Sequence, residues 1–218
     1  MDLQKSKDRR RKRGRPKQYD PEEAIGNALQ VFWTRGYAGT SLAGLSRAMR
    51  MSRTSLNAAF GDKRAIYALT LTGFREEMLE IVLKFAHSEE PTGDALVELF
   101  RRATQVYAGI AGKPTGCPIV CTAPAEAGVD PEIRRLFHTF LLDFDQALSL
   151  VLLSHLSVAA PLRPLSDEEA SNRGRMAAAV LQSLALRSRA GESSATLERF
   201  ARFASELIIT PLQSTLLT

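Results

Sequence analysis

Arg50 and Met51 alone separate two apolar-faced stretches, each long enough for about two turns of helix. Thr40 stands where it can cap the first, which turns Leu42, Leu45 and Met49 inward. Ser52 stands where it can cap the second, which turns Leu56, Ala59 and Phe60 inward and stops at Gly61. Helices this short are marginal in isolation. So short a link forces them to cross sharply, and the pair reads as a helix-turn-helix resting on a third helix. That third helix lies just upstream. Asp20 is an N-cap, Pro21 occupies N1, and Glu23 follows three positions after the cap. Ile25, Ala28, Leu29 and Phe32 then recur at i, i+3, i+4 and i+7, and Gly36 closes the helix.

The rest of the chain continues in the same period. Asp62 opens a longer helix bearing Ile66, Leu69, Phe74, Ile81 and Phe85, running to about His87. The next begins at Thr92 and carries Leu96, Leu99, Phe100, Ala103, Val106 and Tyr107. Residues 113–131 hold four of the ten prolines, which predicts an irregular segment with one short helix from Pro118. Asp130 caps a long helix through Leu152, and Ser166 with Glu169 forms a capping box for an eighth that reaches about Ala190. A ninth starts near Ser194. The expected fold is all-α, with about nine helices, no strand and no internal repeat. Three parts are expected: a disordered basic arm over 1–19, the helix-turn-helix head over 20–67, and a larger helical domain over 68–218.

Charge is distributed unevenly along these parts. Residues 1–17 hold nine Lys/Arg against two Asp, whereas residues 68–218 hold fourteen Lys/Arg against eighteen acids. One end is therefore suited to meet a polyanion. Apolar residues make up 44% of the chain, enough for a core, which excludes global disorder. No run of 18 apolar residues occurs and no apolar segment follows the basic N-terminus, so neither a spanning helix nor a signal peptide is expected. Two cysteines suit a reducing compartment, and a cytoplasmic location is expected.

The second helix of a helix-turn-helix presents its first turns to the DNA major groove. Here those turns carry Arg53, Thr54, Ser55 and Asn57. Arg53 can donate to guanine or to phosphate, and Asn57 can pair with adenine or a backbone oxygen. Thr40 and Ser41 at a helix N-terminus, and Lys63 at the start of the next helix, can hold phosphates. Arg13-Gly14-Arg15-Pro16 can lie in a narrow minor groove. Each residue taken singly is also compatible with a solvated cap or surface charge, and the arm with a solubilising tail.

Residues 20–67 resemble the DNA-binding domain of TetR-family transcriptional regulators. The likeness rests on Gly36-Tyr37-Ala38-Gly39-Thr40-Ser41-Leu42 and on Ser52, Leu56, Phe60 and Lys63. Arg13-Gly14-Arg15-Pro16, Phe32-Trp33 and Ala59-Phe60-Gly61-Asp62-Lys63 also resemble a subgroup of acrylate-responsive repressors. Two positions depart from the family: Arg50 stands where a turn glycine is usual, and Asn57 where a tyrosine is usual. Either Arg50 bears a left-handed backbone and reaches a phosphate, or the turn differs.

The resemblance implies double-stranded operator DNA as a partner. It also implies a small-molecule effector in a cavity among helices four to eight, and a homodimer through the last two helices. Release from a near-palindromic operator would follow when the effector shifts helix four. The small residues Ala177, Ala178 and Ala185, with Val180, Leu181 and Leu184, independently suit close helix packing, between subunits or within the chain. Candidate effector contacts are Tyr107, Cys117, Cys121 and His138, each also readable as core or surface.

A thiol redox regulator and an AT-rich DNA architectural protein are the alternatives. An enzyme is the weakest reading: the sequence holds no Gly-rich phosphate loop, no nucleophile elbow, no His-Glu metal motif and only three histidines. No cofactor and no metal are expected, since two thiols are too few for zinc.

Overall fold

The computed structural model describes residues 19–87, 92–109, 114–159 and 165–210. The basic arm through Gln18, with Arg13 and Arg15, lies outside them. Among the described residues there are nine α-helices and no strand, as the sequence predicts. They are α1 (Pro21–Arg35), α2 (Leu42–Ala48), α3 (Arg53–Phe60), α4 (Lys63–Ala86), α5 (Thr92–Tyr107), α6 (Pro118–Ala127), α7 (Pro131–Ala159), α8 (Asp167–Arg189) and α9 (Ser194–Ile209).

The caps explain where the helices begin. Asp20 accepts from Glu22 N at 2.9 Å, Asp62 from Ala65 N at 2.8 Å, and Asp130 from Glu132 N at 2.8 Å. Ser166 accepts from Glu169 N at 3.1 Å, but Glu169 does not turn back on the cap; its carboxylate takes Arg173 at 2.7 Å instead. The cap of α2 differs from expectation. Ser41, not Thr40, is the N-cap and accepts from Gly44 N at 3.1 Å. Thr40 is 3% exposed and donates to the Gly36 carbonyl at 2.7 Å, so its hydroxyl serves the end of α1 rather than the start of α2.

Between α2 and α3, Arg50 adopts φ +52°. A Cβ in the left-handed region costs about 1 kcal/mol. Glycine there relieves that strain but frees the unfolded chain, which offsets part of the gain. Arg50→Gly is therefore expected to stabilise the protein by roughly 0.5 kcal/mol. Urea unfolding checks this: the midpoint rises while the slope stays constant.

Beyond α3, α7 is the central helix, with α4, α6 and α8 against it. Gly174 allows the close crossing with α8: a Cβ there would lie 2.2 Å from Ser149 Oγ and 2.7 Å from the Asp145 carbonyl. Ala177, Ala178, Leu181, Leu184 and Ala185 are buried within the chain. The small-residue stripe thus packs inside the subunit, the second of the two alternatives left open by the sequence. A different face of α8 and α9 stays uncovered, with Met176, Leu186, Phe203 and Leu207 each more than half exposed.

Pro131–Ser154 of α7 is long and apolar enough to cross a membrane by length and composition, at a mean hydropathy of 1.4. The sequence reading missed it because charges interrupt the apolar run. Phe140, Phe144, Leu148, Val151 and Leu152 of this helix are buried in the core, and Asp143 pairs with Arg75 of α4.

Candidate nucleic-acid interface and internal cavity

Leu56 is buried and anchors α3, which leaves Arg53, Thr54, Ser55 and Asn57 exposed. Ser52 caps the helix, accepting from Ser55 N at 3.1 Å, and its oxygen also lies 2.8 Å from Ser55 Oγ. Ser41 is exposed; its oxygen is engaged as the α2 cap, and its O–H remains a donor. Lys63 sits with Nζ 4.1 Å from the centre of the Tyr37 ring, a cation–π contact that holds the ammonium at the head. Tyr37 is itself placed by stacking on Phe32 at 6.1 Å.

Of the predicted head contacts, Ser41, Arg53, Thr54, Ser55, Asn57 and Lys63 therefore present groups outward or at the rim, and buried Thr40 does not. Sequence reasoning did not single out Arg47, which is exposed beside exposed Arg50. The signal was available, as a cation in the last turn of α2. Arg64 is differently committed. It pairs with Asp130 and with Glu132 at 2.7 Å, tying the start of α4 to the start of α7. That guanidinium holds the Asp130 carboxyl down at about 2.

A cavity of about 270 Å³ lies among α4, α5, α6, α7 and α8. Its wall is mainly Phe74, Met78, Val82 and Phe85 of α4, Leu99 and Ala103 of α5, Val120, and Phe140, Phe144 and Leu181. Tyr107 and Cys117 line it as expected. His138 does not: it is exposed on α7, because the helical period turns Phe140 and Phe144 inward and leaves His138 on the outer side. Cys121 is half-buried with Sγ 3.8 Å from the Ala185 carbonyl, and it is not part of the wall. Gln182 and Arg102, absent from the sequence candidates, are wall residues. Nothing in the helical pattern marked them, since each is a polar residue beside an apolar stripe.

Burial pushes the Cys117 thiol up to about 12 and raises that of Cys121, with Arg189 partly opposing the second shift. Both are therefore neutral thiols near pH 7, whereas the thiolate is the nucleophile in redox exchange. Among the described residues no group of three His, Cys, Asp or Glu could hold a metal.

Cavity and head share one loop. Trp33, in the last turn of α1, donates its indole N–H to the Gly116 carbonyl at 2.8 Å and packs edge-on against Phe74 of the wall at 5.8 Å. Arg189 of α8 donates to the carbonyls of Trp33 at 3.1 Å and Thr115 at 3.0 Å. Gly116 has φ +65°, and a Cβ there would meet the Ala185 carbonyl at 2.4 Å. Its neighbour Cys117 is both the N-cap residue of α6 and part of the cavity wall.

Residues 25–69, spanning most of α1, α2, α3 and the first turns of α4, match the family model described as bacterial regulatory proteins, tetR family. Those residues carry a DNA-binding segment of the TetR type. The chain is 24% identical to the HTH-type transcriptional repressor BdcR of Escherichia coli (strain K12) over 200 residues, covering 92% of this chain and 94% of that protein. Among solved structures it resembles a cysteine mutant of the TetR family regulator CifR complexed with 26-bp double-strand operator DNA. That likeness has a TM-score of 0.74 and 23% identity, over 88% of this chain and 98% of that one. It also resembles FadR from Bacillus subtilis in complex with stearoyl-CoA, with a TM-score of 0.67 and 12% identity over 89% and 100% of the two chains. These structures share this chain's fold; the match over residues 25–69 is to the DNA-binding segment of transcriptional regulators.

Proposed function

We propose that this protein is a cytoplasmic, homodimeric transcriptional repressor of the TetR family. It reads a near-palindromic operator through α3 and is released when a small molecule enters the cavity. The observation that carries the reading is the exposed α3 face, with Arg53, Thr54 and Asn57 set outward by buried Leu56, inside the segment that matches the family model. CifR, similar in fold, has been captured on operator DNA. The arm residues Arg13 and Arg15 add minor-groove affinity, and the head is taken as residues 20–67 and the effector and dimer domain as 68–218.

The release mechanism uses the shared loop. A molecule against Cys117 and Phe74 presses on the same elements that hold Trp33, so it biases the position of α1 and with it α2 and α3. It weakens DNA binding only to the extent that it prefers the arrangement incompatible with the operator.

Selection of binding sites from a random duplex pool tests this directly. An enriched near-palindrome is expected, and enrichment of AT-rich tracts alone would favour the architectural reading. On the selected site, Arg53→Ala is expected to cost about 1–3 kcal/mol, concentrated at particular base pairs. Measured across operator variants, a uniform loss would instead assign Arg53 to a phosphate.

A further inference from the structure

The cavity wall is selective in its polarity. Among the described residues that line it there is no carboxylate, no lysine and no histidine. Arg102, the one charged side chain among the described wall residues, is committed elsewhere. Arg102 donates to Glu98 at 2.7 Å, lies 5.2 Å from the Phe85 ring, and is 59% exposed at the mouth. Glu98 also takes Arg101. A buried cation would thus find no counter-charge, and a buried anion would have to compete with Glu98 for Arg102.

Two neutral groups are left uncommitted. The Tyr107 hydroxyl makes no hydrogen bond among the described residues, although the Tyr107 backbone is firmly held. Its carbonyl accepts from Thr115 N at 3.1 Å, Gly116 N at 3.1 Å and Ser188 Oγ at 2.8 Å. Burial raises the phenol well above its ordinary value, so it stays a donor at neutral pH. The half-buried Gln182 amide likewise has no partner among the described residues. Both residues are half-buried, so each group is free to donate to an acceptor that enters the cavity in place of water. The volume sits just below the ~300–1,000 Å³ range of small-molecule sites.

We propose that the cavity binds a neutral, largely apolar molecule bearing a carbonyl-type acceptor, held by the Tyr107 hydroxyl and the Gln182 amide. This deepens the effector reading and rests on it. Trp33, the single tryptophan of the chain, touches wall residue Phe74 and so reports binding by its own fluorescence.

The test compares four probes on the full-length protein without DNA: 4-phenylbutan-2-one, butylbenzene, 4-phenylbutanoate and 4-phenylbutylammonium. Trp33 quenching and calorimetry give the affinities. The ketone is expected to bind about ten-fold more tightly than butylbenzene, one good hydrogen bond's worth. Tyr107→Phe keeps the ring and is expected to remove most of that ratio while leaving butylbenzene affinity unchanged. Gln182→Leu is expected to reduce the ratio further.

Tighter binding of the acid or the amine overturns the proposal. So does a ketone-to-alkylbenzene ratio that survives Tyr107→Phe, or failure of all four probes to bind folded protein. Operator binding is assayed separately. If the ketone binds through Tyr107 but leaves the operator complex intact, the ligand class stands and the effector reading fails.

Discussion

Phe203→Asp combined with Leu207→Asp is expected to convert the protein to a folded monomer and to weaken operator binding by about 10²–10⁴-fold. Both side chains lie on α9 and are 60% and 58% exposed, so the chain's own core does not depend on them. Met176 and Leu186 of α8 are likewise more than half exposed, and large apolar side chains left uncovered on the last two helices suit an interface. Two aspartates placed there would have to be desolvated in any interface, without a counter-charge. The loss on DNA follows from effective concentration. In a dimer the second head binds from the same molecule, and that advantage of about 10²–10⁴ disappears when the heads are separated. Sedimentation equilibrium gives the oligomeric state, helical circular dichroism confirms folding, and band shifts give the affinity. A variant that remains dimeric with full operator affinity would place the interface elsewhere.

Arg189→Ala is expected to lower stability by about 2–3 kcal/mol, because the carbonyls of Trp33 and Thr115 both lose the guanidinium donor in a half-buried setting. In a protein of this size that corresponds to about 5–10 °C in melting temperature. Trp33→Phe keeps an aromatic ring against Phe74 but leaves the Gly116 carbonyl without its indole donor, and about 1–2 kcal/mol is expected to be lost. Both side chains hold the loop at Thr115 and Gly116, so the double variant is expected to lose less than the two single losses added together. Thermal melts of the four proteins measure this coupling. Simple additivity would mean that α1 and α8 grip the loop independently, and the route from cavity to head would then need another path.

Local chemistry made much of the fold legible in advance. A cap is a contact within about three residues, so Asp20, Ser52, Asp62, Asp130 and Ser166 announced their helices from the chain alone. Apolar period also found the buried anchors Ala28, Phe32, Leu45, Met49, Leu56, Ile66, Phe74 and Phe85. Leu42, Ala59, Leu69 and Ile81, read on the same stripes, are exposed because no described helix arrives to cover them. Where two neighbouring residues competed for one cap, the reading failed. Thr40 and Ser41 have the same chemistry, and only the path of the backbone beyond Gly36 sends Thr40 back to a carbonyl and Ser41 forward to an amide. Arg50 shows the reverse: its departure from glycine was visible, and the backbone kept the left-handed turn regardless.

The cavity was only half legible. Tyr107 and Cys117 carried chemistry on inward faces and do line it, but His138 differs from them merely by its angle about α7. Gln182 was passed over because one polar side chain beside an apolar stripe looks like surface until the facing helices are known. The same limit applies to the small residues of α8. Their period predicted close packing, while the choice between the chain's own α7 and a second subunit depended on which helix arrived.

By itself, then, the sequence determined the helices, their order, the helix-turn-helix and the basic end, because each follows from contacts a few residues apart. Tertiary structure alone decided the cavity, the uncovered face of α8 and α9, and the joining of Trp33 to Gly116 and Arg189, residues 83 and 156 positions away. Such partners are set by how helices cross, and no local period encodes a crossing.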